Sequence, residues 1–82
     1  MNFEIRCCSS AFKHGVTKAD ILWAFNTVEY DAVLEEYVDK YLLIGFDKNA
    51  NLIEIIYSVI EDNAILVFHA MKCRPAFISL LK

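Results

Sequence analysis

Two short clusters in this chain hold the side chains from which chemistry could be built: Lys13-His14, and His69-Ala70-Met71-Lys72-Cys73-Arg74 near the other end. Histidine exchanges a proton near neutral pH, arginine grips a phosphate through a fork of donors, and lysine acts on it as a point charge. Metal-free RNA cleavage requires these abilities. One group takes the proton of the 2′-hydroxyl, another returns a proton to the leaving 5′ oxygen, and cations steady the charge growing on the phosphate. His69, Lys72 and Arg74 are therefore the candidate catalytic residues, and Lys13 and His14 the candidate RNA-binding pair. At roughly 3.3 Å per residue an extended strand would hold His69 and Arg74 about 17 Å apart, so convergence needs a turn after Ala70, which Pro75 and a following helix can supply. The plainer reading is an exposed loop pair and a strand end with two surface cations.

Other chemistries find less support. The chain has no phosphate loop, dinucleotide fingerprint, zinc-protease helix or nucleophile elbow. Cys7, Cys8 and Cys73, even with His14 and His69, lack zinc-site spacing, so neither a metal nor another cofactor is expected. Three thiols cannot all pair, and Cys7 and Cys8 would point to opposite sides of a strand. They read as free thiols in a reducing cytoplasm.

The elements that must position these residues follow from periodicity. Phe3, Ile5 and Cys7 alternate with Glu4 and Arg6, as in a half-buried strand. Thr17 and Asp20 form a capping-box pattern, and Ile21, Leu22, Phe25 and Val28 share one stripe, which predicts a helix over 18–28. Tyr30 to Leu34 reads as an edge strand or as a further helical turn. Tyr41–Phe46, Leu52–Val59 and Ala64–Ala70 are apolar and β-branched, separated by Asp- and Asn-bearing turns that tolerate left-handed backbone. In the middle segment Glu54 and Ser58 fall on one side, expected to be partly wet. Pro75 opens a short closing helix with Phe77, Ile78 and Leu81 on one stripe. The fold class expected is α+β: an antiparallel β-sheet made of a three-stranded meander plus the N-terminal strand, with both helices packed on one face.

Eighty-two residues suit one domain, 1–82, with a single core. The hydrophobic share is 57%, above the usual ~45–50%, which leaves apolar surface for a partner or a homodimer. No apolar run approaches the ~20 residues of a membrane span, and the first residues do not resemble a secretory signal, so a cytoplasmic protein is expected. A net charge of −3 argues against broad nucleic-acid binding, yet the charge is uneven. Acids crowd residues 29–39, whereas 66–82 contains none.

Ala11-Phe12-Lys13-His14-Gly15-Val16 leading to Asp20-Ile21, then Leu42-Leu43-Ile44-Gly45-Phe46-Asp47, Asn51-Leu52-Ile53-Glu54-Ile55 and His69-Ala70-Met71-Lys72-Cys73-Arg74-Pro75, form an ordered set. That set resembles the BrnT-like toxins of the RelE-like ribonuclease superfamily. The resemblance implies a bacterial type II toxin: an mRNA-directed endoribonuclease that inhibits translation. It also implies an antitoxin partner, often with a ribbon-helix-helix DNA-binding region. Lys13 and His14 match the pair before that family's first helix, and Lys72 and Arg74 its basic strand-end segment. The chain departs from the superfamily in being acidic overall.

Overall fold

The computed structural model describes residues 4–81. The alternating and β-branched segments become strands β1 (Glu4–Cys7), β2 (Tyr30–Val33), β3 (Tyr41–Phe46), β4 (Leu52–Glu61) and β5 (Ala64–Lys72). They build one five-stranded sheet in the order β1-β5-β4-β3-β2. β2 through β5 run antiparallel, whereas β1 lies parallel to β5, with Ile5 opposite Ile65 and Cys7 opposite Val67. The expected antiparallel sheet is thus corrected to a mixed one. Alternation in β1 encodes which side chains are buried, and that is the same for either strand direction. The connection through α1 (Lys18–Asn26) sets the direction, carrying the chain from one edge of the sheet to the other.

Helix α1 starts where the sequence indicates. The Thr17 hydroxyl accepts the Asp20 N–H, and the Asp20 carboxylate accepts the Thr17 N–H, closing the capping box. Ile21 and Ala24 are fully buried and join Leu43, Ile53, Ile55, Tyr57 and Val67 in the main core. Gly45 makes the close approach of helix and sheet possible, because a Cβ there would run into the Ala24 carbonyl. In the β3–β4 turn the left-handed residue is Ala50 (φ 66°) rather than an Asn or Asp. The Asp47 carboxylate steadies that turn by accepting the N–H groups of Asn49 and Asn51.

Helix α2 (Pro75–Ile78) and the 3₁₀ turn Ser79–Leu81 cover the opposite face, where Phe77 and Leu81 pack with Leu42, Ile44 and Cys73. The expectation of both helices on one face is therefore also corrected. Beyond β5 the chain crosses the end of β4, and the Cys73 N–H donates to the Leu52 carbonyl. This crossing covers Glu54, and the loop before β3 takes up Ser58, whose hydroxyl donates to the Asp39 carbonyl, on the side that the sequence suggested would be wet. Both are buried. Leu42 to Gly45 in β3 and Ile53 to Ile55 in β4 are consecutive buried residues, so part of the apolar excess is absorbed by a sheet covered on two sides. No helix among the described residues is long and apolar enough to cross a membrane.

Candidate functional site

Glu54 is the residue around which the site is built. It is the lone acid within an apolar strand segment and is 0% exposed, a position a carboxylate occupies only when fully partnered. Its partners come from the far end of β5 and the residues after it. The Arg74 backbone N–H donates to Oε1 at 2.9 Å, Nε–H reaches both oxygens at 3.1 Å, and an Nη2–H donates to Oε2 at 2.6 Å. His69 Nε2 lies 2.9 Å from Oε2. Burial would push the Glu54 carboxyl up, but the Arg74 guanidinium, the Arg74 N–H and His69 together outweigh it and hold the group below its ordinary value of 4.5. An ionised carboxylate can only accept, which assigns the shared proton to His69 Nε2, and in the neutral ring Nδ1 is then the acceptor.

The two ends of the chain meet here. The His14 ring stands edge-on to the His69 ring, with centroids 5.6 Å apart. The 3₁₀ turn Ser9–Phe12 places it, tied to β5 by the Ser10 hydroxyl donating to the Phe68 carbonyl at 2.6 Å. Gly15, at φ 85°, then turns the chain into α1. His69 and Arg74 do converge, though not by a turn after Ala70. β5 continues to Lys72, and both side chains reach the same buried carboxylate.

Lys72 lies elsewhere. It sits opposite Ile53 of the α1-side core, whereas His69 sits opposite Ile56 of the other cluster, so the two occupy opposite faces of the sheet. Lys72 instead lines a cleft with His14, which borders both sides of the sheet end. Lys13 is exposed and lines none of the clefts described here. Glu54 was not among the sequence candidates, although a lone carboxylate inside Leu52-Ile53-Glu54-Ile55-Ile56 is itself a signal.

The arrangement offers an imidazole held in one tautomer by a buried carboxylate, a second imidazole beside it, and a lysine within the adjoining cleft. Arg74 is largely engaged: its charge is matched by Glu54, and the free part of the guanidinium rests near the Phe77 ring at 5.2 Å. No family model, curated protein or solved structure matches the chain.

Proposed function

We propose that the chain is a metal-independent endoribonuclease of the type II toxin kind, acting on mRNA in a bacterial cytoplasm and neutralised by an antitoxin protein. One observation carries the reading: Glu54 orients His69 against His14, which provides two proton-exchanging groups at one rim of the sheet. His69 Nδ1 accepts the proton of the 2′-hydroxyl as that oxygen attacks phosphorus. Protonated His14 donates to the departing 5′ oxygen, leaving a 2′,3′-cyclic phosphate and a 5′-hydroxyl. Lys72, across the sheet from His69 but sharing a cleft with His14, offsets charge on the phosphate from the His14 side, and Arg74 is a positioning residue that locks Glu54. The ordered resemblance to BrnT-like toxins points the same way. Induced expression of the chain alone in bacteria is expected to arrest growth, and His69→Ala and His14→Ala variants that remain folded are expected to relieve the arrest. Arrest that persists unchanged in both variants would overturn the assignment.

An apolar groove favours a second reading, a non-catalytic module that forms a homo- or hetero-oligomer. Leu22, Phe25, Val28, Val59 and Ile65 line this groove of about 550 Å³ beside α1. Leu22, Val28 and Val59 in it are substantially exposed. A strictly monomeric chain by sedimentation, with no partner retained in pull-down, would count against that reading.

A further inference from the structure

The cleft that takes Lys72 is distinct from the Glu54 centre and has its own polar wall. It encloses about 280 Å³ between the Gly15–Val16 segment, the β3–β4 turn and the end of β5. That lies just below the roughly 300–1,000 Å³ usual for drug-sized ligand sites, a size for no more than a single nucleotide unit. Val16 and Ile53 give it an apolar side, and Lys72 meets no carboxylate among the described residues.

The opposing chemistry is a pair of acceptors. Asp47 Oδ1 is occupied by the N–H groups of Asn49 and Asn51, at 2.8 and 2.9 Å, which fixes the carboxylate in place. Among the described residues Oδ2 has only the Asn51 side-chain amide, at a long 3.4 Å. That contact turns the Asn51 nitrogen toward Asp47 and leaves Asn51 Oδ1 as an acceptor without a partner among the described residues. Asp20, the other acid in the wall, is engaged by the Lys48 N–H on one oxygen and by Thr17 on the other. The open acceptors are therefore Asp47 Oδ2 and Asn51 Oδ1.

We propose that this cleft binds a guanine nucleotide of single-stranded RNA, with the base against the apolar side formed by Val16 and Ile53, its edge on Asp47 and Asn51, and its phosphate on Lys72 beside His14. Guanine presents two adjacent donors, N1–H and the N2 amino group. Adenine and cytosine set one amino group beside a ring acceptor, and uracil sets one N–H between two carbonyls. Each of those three would turn an acceptor toward an acceptor and forgo one of the two hydrogen bonds. A matched two-bond edge is worth about tenfold or more in discrimination. The substrate assignment rests on the ribonuclease reading above, whereas the binding preference does not.

The test is titration of the full chain with 3′-GMP, 3′-AMP, 3′-CMP and 3′-UMP, followed by backbone amide NMR shifts. A 2′-deoxy trinucleotide with central guanine, which cannot be cut, is titrated in parallel. 3′-GMP is expected to bind at least about tenfold tighter than the others, with shifts centred on Gly15, Val16, Asn51 and Lys72. Asn51→Ala, an exposed substitution, is expected to bring 3′-GMP to the level of the other three. The trinucleotide is expected to bind more tightly than 3′-GMP. Equal affinity for all four nucleotides, no saturable binding, or shifts elsewhere would overturn the subsite, and a trinucleotide no tighter than 3′-GMP would overturn its assignment to a nucleic-acid strand in favour of a free nucleotide. Guanine preference without RNA cleavage would uphold the cleft and sink the nuclease, and cleavage without base preference would do the reverse.

Discussion

Removing the Arg74 side chain tests whether Glu54 is the keystone of the sheet end. In Arg74→Ala the carboxylate loses its contacts from Nε and Nη2 and keeps only the backbone N–H of residue 74 and His69. Breaking a buried ion pair from one side costs about 3–5 kcal/mol. The Arg74 side chain is 52% exposed, so solvent already screens it and water can enter where it stood, which places the loss near the lower end, about 3 kcal/mol at pH 7. That corresponds to roughly a hundredfold in the unfolding constant and a fall in Tm of about 12–24 °C. Urea unfolding followed by the fluorescence of Trp23, the chain's single tryptophan, measures it. The pH dependence supplies a second readout. In the parent, Glu54 is held below 4.5, so its contribution is present above that pH and is lost as pH falls through the depressed folded value. In the variant, burial is no longer outweighed and the folded group rises above its unfolded value. The variant's deficit should then shrink between pH 7 and about pH 4. A loss under about 1 kcal/mol, or a deficit that does not change with pH, would show that the Arg74 side chain does not hold the Glu54 carboxylate in the folded state.

Two further substitutions probe the scaffold. Gly45→Ala forces a methyl group against the Ala24 carbonyl, which is backbone and cannot swing aside, so a loss of about 3 kcal/mol is expected in urea denaturation. Thr17→Ala removes the side-chain cap of α1 and should cost about 1 kcal/mol, read as a fall in Tm.

Local signals in the sequence carried through to local structure. Tyr41–Phe46 has its expected bounds, the Thr17–Asp20 box caps α1, and Pro75 opens α2. Longer-range features were not legible. A period of two marks the buried side of β1 but not its direction, and the β1–β5 pairing joins residues whose relation depends on the whole intervening path. The placement of α2 depends on the chain swinging over β4 after Lys72, which no hydrophobic stripe in Pro75–Leu81 specifies. At the site, the residue types of His69 and Arg74 were readable but their roles were not. Both are organised by Glu54, fifteen to twenty positions away on the neighbouring strand and visible in sequence only as an acid where an apolar residue belongs. Lys72 kept its cationic character yet changed sides, because β5 runs past Ala70 and the strand alternation carries it to the α1 face.

Incubating the purified chain with single-stranded RNA in excess chelator, and analysing the ends produced, tests the central claim most directly. Fragments ending in 2′,3′-cyclic phosphate and 5′-hydroxyl are expected, with the rate falling about 10²–10⁴-fold in folded His69→Ala and His14→Ala variants. Intact RNA with the well-folded parent, or cleavage indifferent to both histidines, would contradict that claim.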